Sequence, residues 1–193
     1  MGDFKAIHDR LALREGYYAK VSGDAGGETY CGITRKNYPG WPGWETIDKV
    51  KKERGDSRLA HNERLEDLDS EAYAFYLRMY KKYSFDKIEN ASLSELVFDQ
   101  WVNSGNRAVK QFQQCVNTLA EKDGAPAIAD DGVFGPNTAK ATNRCDAFDL
   151  FEEFRACRED FYKRIAEKRE NKKFLKGWLR RLQGIRFVES VAS

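Results

Sequence analysis

Three residues near the N-terminus have types and spacing suited to acid–base work at a glycosidic bond. They are Glu15, Asp24 nine residues later, and Thr29 five residues after that. Breaking such a bond needs one carboxylic acid to protonate the leaving oxygen. It also needs a second carboxylate to activate water or stabilise an oxocarbenium-like state. The acid has to be protonated near neutral pH, and an apolar setting favours that by penalising the charged form. A glutamate closing an apolar helix, covered by a hairpin, meets the requirement, and Asp24 and Thr29 on that hairpin can face back toward it. Spacing alone does not single out this reading, since a glutamate at a helix end and polar residues in a hairpin are both ordinary. Glu28 is a competing second carboxylate. In an alternating strand Glu28 and Thr29 point to opposite faces. Thr29 is the one expected at the cleft, because a hydroxyl holds water without adding negative charge.

The elements that must position these groups are legible as periodicities. Phe4, Ile7, His8 and Leu11 recur at helical spacing, so residues 3–15 read as an amphipathic helix, N-capped by Asp3 and ended by Gly16. His8 on that face reads as a packed residue, not a ligand. Residues 16–34 are rich in glycine, tyrosine and threonine, the composition of a short hairpin with tight turns. Pro39-Gly40-Trp41-Pro42-Gly43-Trp44 reads as a loop or very short helical turn with its tryptophans wedged beneath it, stacking on sugar rings being the alternative. Helices are expected over 46–55, after Ser70, around Leu93–Val102, over 106–121, from Pro136, over 146–170 and over 171–182. Residues 123–135 read as a loop. The whole is mainly α: one small β-hairpin near the N-terminus and a helical bundle after it.

Several segments together resemble glycoside hydrolase family 108. They are Glu15-Gly16-Tyr17-Tyr18, Asp24-Ala25-Gly26-Gly27-Glu28-Thr29 and Gly32-Ile33-Thr34. The likeness continues through Asp99-Gln100-Trp101-Val102-Asn103-Ser104-Gly105, through Asp130-Asp131-Gly132-Val133-Phe134-Gly135-Pro136-Asn137-Thr138, and through the closing segment 171–181. That family comprises N-acetylmuramidases of phages, prophages and bacteria, and its pattern echoes the Glu…Asp…Thr arrangement of phage-type lysozymes. The chain departs from it by Tyr17 where a second glycine is usual and by Ala25 where proline is usual. The resemblance implies a lysozyme-like α+β fold and hydrolysis of the β-1,4 bond between N-acetylmuramic acid and N-acetylglucosamine. It implies Glu15 as general acid, Asp24 as the residue that positions water or stabilises charge, and Thr29 as the group that orients water. It further implies Tyr18, Gly27, Tyr30, Asn103 and Asp131 as substrate contacts, inversion at the anomeric carbon, and no metal or organic cofactor. The 130–138 motif reads equally as a plain structural turn, and Asn103 equally as a helix cap.

Length and composition agree with this picture. The chain has 193 residues, 41% hydrophobic and 33% charged, and fits a single domain, within which the resemblance implies a catalytic part over 1–100 and a helical part with a peptidoglycan-binding motif over 101–193. No stretch approaches the ~20 apolar residues of a membrane span, and the N-terminus lacks the apolar run of a signal peptide. The expected course is synthesis in the cytoplasm and delivery to cell-wall peptidoglycan by a holin or a secretion system. Net charge is +2, yet residues 155–193 carry 12 basic against 5 acidic residues, a net +7. Such a tail suits an anionic partner or a solvated helix face. Peptidoglycan strands are the expected partner of a monomer, with no nucleic acid and no membrane insertion. The four cysteines, at 31, 115, 145 and 157, form no Cys-x-x-Cys pair and read as reduced thiols, with a disulfide after export left open. Two readings compete with a phage endolysin or secreted lytic effector: a non-catalytic wall-binding or phage structural protein that kept the fold, and a nucleic-acid binder using its basic C-terminal helices.

Overall fold

The computed structural model describes residues 4–20, 27–54 and 59–189. Among them are eight α-helices and one three-stranded antiparallel sheet. This is the mainly α, lysozyme-like α+β architecture expected from the sequence. Asp3 lies outside the described residues, and so does most of the turn of the expected hairpin. No helix among the described residues is long and apolar enough to cross a membrane. The packing forms two compact units, Phe4–Met79 and Tyr80 onward. The division falls inside a helix.

The first unit begins with α1, Phe4–Glu15, whose buried residues Phe4, Ile7, His8 and Leu11 are the stripe read from the sequence. His8 lies edge-on to Tyr73 at 5.1 Å. Burial holds its imidazole below the ordinary value, although Asp9 opposes this. Strands β1 (Tyr18–Lys20), β2 (Glu28–Tyr30) and β3 (Ile33–Thr34) follow in spatial order β1-β2-β3. The third strand was not anticipated: the expected single hairpin is a three-strand meander. Register pairs Tyr18 with Tyr30, Lys20 with Glu28, Thr29 with Thr34, and Tyr30 with Ile33. Alternation therefore puts Tyr18, Lys20, Glu28, Tyr30 and Ile33 on one face, and Ala19, Thr29 and Thr34 on the other. Helix α2 spans Gly43–Glu53, so Trp44 begins a helix instead of closing a loop. Trp41 and Trp44 are both buried; Trp41 stacks on Tyr30 with centroids 6.0 Å apart. The wedge role holds, and sugar stacking by these two rings does not. Helix α3, Asp69–Lys82, begins in this unit.

The second unit contains α4 (Ala91–Ser104), α5 (Asn106–Lys122), α6 (Pro136–Thr142), α7 (Ala147–Ala166) and α8 (Leu175–Gln183). Asn90 caps α4 by accepting from Leu93 N at 2.9 Å, and Asp146 caps α7 by accepting from Phe148 N and Asp149 N. Pro136 stands at the first helical position of α6, where a missing N–H costs nothing. The long helix expected over 146–170 stops at Ala166, and α8 begins after a 3₁₀ turn at Lys172–Phe174. Phe85, Phe98, Phe112, Phe151 and Phe154 are fully buried and fill the core.

One charged cluster crosses this core. Asp99 on α4 accepts from Arg158 of α7 at 2.8 Å and from Arg181 of α8 at 2.9 Å. Arg158 also donates to Leu96 O and to Tyr162, whose hydroxyl donates to Gln100. Two of the basic residues of the C-terminal segment are thereby spent on packing and not offered to a partner. Burial alone would raise the Asp99 pKa and is the largest influence on it. The charges and hydrogen bonds of the two arginines outweigh burial, so the carboxyl sits below its usual range. A depressed folded-state pKa contributes stability above the unfolded value of about 3.9, and that contribution is lost as pH falls through the folded value. Asp99→Asn strands two guanidinium charges and is expected to cost about 3–5 kcal/mol, read as a lower urea midpoint at pH 7. The gap between variant and wild type should close only below about pH 4. An unchanged midpoint at pH 7 would show that the cluster is not holding these helices together.

Candidate active site

Helix α1 delivers Glu15 at its last residue, and the chain leaves the helix through Gly16 at φ +71°. The exit is fastened from outside: Tyr17 N donates to Asn62 Oδ1 at 2.8 Å, Asn62 N donates to Tyr18 O at 2.6 Å, and Tyr18 N donates to Glu63 O at 3.2 Å. The direction in which β1 departs from Glu15 is therefore fixed by main-chain bonds.

The turn between β2 and β3 meets the same carboxyl. Its two central residues, Cys31 and Gly32, have φ +48° and +78°. Positive φ at both central positions is what a two-residue type I′ turn demands. Cys31 is an L-residue held in a conformation costing roughly 1–2 kcal/mol. The Tyr76 hydroxyl on α3 donates to its carbonyl at 2.6 Å and pins the turn. Gly32 has no room for a side chain. A Cβ there would lie 2.7 Å from Glu15 Oε2 and 3.0 Å from the Tyr76 hydroxyl. The Glu15 carboxyl thus rests on bare backbone, beside a phenol. Burial pushes the Cys31 thiol up to about 12, with Asp69 and Glu15 adding to the effect. That sulfur is inert packing. Gly32 and Tyr76 carry this arrangement, yet sequence reasoning gave neither a site role. Tyr76 stands among Tyr73, Phe75 and Tyr80 at helical spacing, a pattern that marks the packed side of a helix and no site. Gly32 appeared only as part of the Gly-Ile-Thr segment.

The two carboxylates within the meander have different fates. Glu28 is buried, accepts from the Tyr18 hydroxyl at 2.7 Å and from the Lys51 ammonium, and pairs ionically with Arg35, whose Nε lies 2.8 Å away. Arg35 in turn forks onto Asp48 at 2.7 and 2.9 Å and lies over the Trp44 ring. Glu28 is thus a neutralised structural anion on the packed face of the sheet. Thr29 is half-buried on the opposite face, with its hydroxyl donating to Ala19 O at 3.4 Å, a long bond that holds it weakly. Asp24 lies outside the described residues.

The expected substrate contacts divide. Gly27 is exposed at φ +71° with open space around it. Tyr18 and Tyr30 are core residues, a correction to their expected role. The Tyr18 hydroxyl is engaged by Glu28, while the Tyr30 hydroxyl both donates to Leu65 O and accepts from Leu65 N at 3.0 Å. Neither ring is open to a sugar. In the second unit, Asn103 is exposed and turns its amide back onto Asp99 O at 2.7 Å. Asp131 closes a turn by accepting from Val133 N at 2.8 Å. The buried Gln113 organises that loop: its Nε2 donates to Asp131, Val133 O and Thr138, and its Oε1 accepts from Gly132 N. These bonds account for the shape of the 130–138 motif. A groove of about 640 Å³ runs along α1, lined by His8, Leu13, Tyr17, Arg64 and Tyr73 among others. Its lining does not include Glu15.

Two family models match the chain. One, described as Glycosyl hydrolase 108, covers residues 8–105. The other, described as Predicted Peptidoglycan domain, covers residues 107–183. Among solved structures, SagA of Brucella abortus is similar: 24% identical, TM-score 0.62, across 94% of this chain and 90% of that one. This likeness shows a shared fold. Among curated proteins, none matches.

Two variants test the geometry. Gly32→Ala forces the Glu15 carboxyl aside, and glycan hydrolysis is expected to fall about 100-fold. Stability should drop by only about 1–2 kcal/mol, because the displaced group is a flexible chain end. Wild-type turnover in this variant would mean the carboxyl's seat on Gly32 is immaterial. Glu28→Gln is expected to cost about 1–3 kcal/mol in denaturant unfolding while the folded enzyme keeps its rate. The reverse pattern, full stability with lost activity, would make Glu28 the second catalytic carboxylate.

Proposed function

The chain belongs to the glycosyl hydrolase 108 family, and from that premise we propose that it cleaves the β-1,4 bond between N-acetylmuramic acid and N-acetylglucosamine in peptidoglycan, with Glu15 as the general acid. Membership supports a glycoside hydrolase, and the predicted peptidoglycan domain over 107–183 supports peptidoglycan as its substrate. The observation that carries the residue assignment is the seat of Glu15. Its carboxyl closes a buried helix stripe and lies against a turn whose glycine leaves it room.

In this reading Glu15 hands its proton to the bridging oxygen as the glycosidic bond breaks. The Tyr76 hydroxyl, committed to Cys31 O, holds the turn and thereby the carboxyl, so it is a positioning residue. Asp24 activates water or stabilises the developing positive charge, and Thr29 orients that water. Gly27 lets glycan approach the backbone. The engagement of Glu28 by Lys51, Arg35 and the Tyr18 hydroxyl supports Asp24 over Glu28 in this role. A direct displacement by water inverts the anomeric centre and needs the two carboxyls about 6.5–9.5 Å apart. The 107–183 region binds glycan, and Asn103 and Asp131 offer exposed polar atoms to it. A holin or a secretion system delivers the protein to the wall as an endolysin or a lytic effector.

The test is digestion of purified sacculi by wild type and by Glu15→Gln, with the new ends identified by mass spectrometry. Wild type should release reducing muramic-acid ends, and Glu15→Gln should be slower by about 10²–10⁴-fold. Cut peptide stems with intact glycan, or full lysis by the variant, would overturn the proposal.

A further inference from the structure

Four cysteines are present, and two of them face each other across the second unit. Cys115 on α5 and Cys157 on α7 have sulfurs 3.1 Å apart. They are 42 positions apart in sequence, and no element of the wall-hydrolysis chemistry uses them. We propose that Cys115 and Cys157 are a disulfide-forming site that staples α5 to α7 when the protein meets a disulfide oxidant.

The geometry around the pair supports closure. One turn earlier on each helix, Phe112 and Phe154 meet edge-to-face at 5.1 Å, so the helices are already in register there. Gln111 Nε2 donates to Cys157 O at 2.7 Å and holds the same crossing. Bond formation needs the sulfurs to approach by only about 1 Å, to a bond of about 2.05 Å. Access is one-sided. Cys115 is buried at 1% exposure, while Cys157 is half-buried. Cys115 and Cys157 both border a groove of about 1000 Å³ lined by five basic residues, Arg107 and Lys168 among them, against Asp160 and Glu167. Such a cationic lining suits an anionic disulfide such as oxidised glutathione.

The chemistry assigns an order. Cys157 is the more accessible sulfur and meets the oxidant first, while Cys115, buried and hydrogen-bonded to it, follows. Cys157 thiolate attacks one sulfur of the oxidant and releases the other half as a thiol. Cys115 then loses its proton and attacks the Cys157 sulfur, releasing the second half. Two protein thiols give up two protons and two electrons, and one oxidant disulfide becomes two thiols. A reducing compartment keeps the pair open, and an oxidising one outside the cytoplasm closes it.

A bound soft cation is the competing use, because the Glu153 carboxylate joins the two sulfurs, with all ligand atoms within 4.8 Å. Two thiolates on a tetrahedral zinc at ~2.3 Å would stand about 3.7 Å apart, and a fourth donor would be needed. The observed 3.1 Å is shorter than that spacing, and among the described residues only three donors converge where a tetrahedral site needs four.

The test uses the full chain in graded mixtures of oxidised and reduced glutathione, quenched with acid, alkylated with iodoacetamide and mapped by mass spectrometry. The expected product joins the Cys115 and Cys157 peptides and is 2 mass units lighter, with Cys31 and Cys145 alkylated. Oxidation should raise Tm by roughly 5–10 °C. Cys115→Ala should trap a glutathione adduct on Cys157, which separates attacking from resolving thiol. The proposal is overturned if both sulfurs stay alkylatable in the most oxidising buffer. It is equally overturned if wild-type Cys157 stops at the glutathione adduct, or if one equivalent of zinc copurifies and blocks both until chelated.

Discussion

The structure around Glu15 depends on a turn with no space for a side chain. Cys31 and Gly32 both adopt positive φ, Tyr76 holds the Cys31 carbonyl, and the Glu15 carboxyl fills the place a Cβ would take on Gly32. The strain at Cys31, about 1–2 kcal/mol, persists because two helices converge on the β2–β3 turn: the end of α1 and the middle of α3. Strained turns of this kind are kept where position matters. Here the position is that of a carboxyl at the end of a helix, a rigid element that holds it more tightly than a loop would.

A second constraint sorts the acidic residues by face. The antiparallel register gives Glu28 and Thr29 opposite sides of β2. The packed side supplies Tyr18, Lys51 and Arg35, which together satisfy Glu28. A carboxylate so surrounded is a structural anion, and its removal is felt in stability. Asp99 plays the same part in the second unit, where Arg158 and Arg181 keep it ionised against the pull of burial. Gln113 is the neutral counterpart, a buried amide that satisfies both of its ends on the 130–138 loop. In all three places polar side chains fix backbone, which follows from the cost of burying a polar group without partners.

Much of this was legible because periodicity reports burial directly. The stripe Phe4-Ile7-His8-Leu11 gave α1 and placed Glu15 at its end, Pro136 marked the start of α6, and alternation set Thr29 against Glu28. What escaped has physical reasons. Tyr18 and Tyr30 read as ring contacts for sugar because aromatic residues on a hairpin look alike whether they face solvent or core; only the hydroxyl partners, Glu28 and the Leu65 backbone, tell them apart. β3 is two residues long and carries no periodicity of its own. Tyr76 and Gly32 act through a contact between distant segments, which no local pattern encodes. The nearness of Cys115 to Cys157 is of the same kind, since their sequence spacing gives no hint of a helix crossing that brings two sulfurs to 3.1 Å.

The role given to the Glu15 carboxyl is most directly tested by varying the leaving group. Rates of wild type and Glu15→Gln are compared on a natural glycan fragment and on the same glycan carrying a dinitrophenyl leaving group, which departs without a proton. A proton donor at position 15 predicts a loss of about 10²–10⁴-fold on the natural bond and only a small loss on the activated one. Equal losses on both substrates, or none on the natural bond, would contradict it.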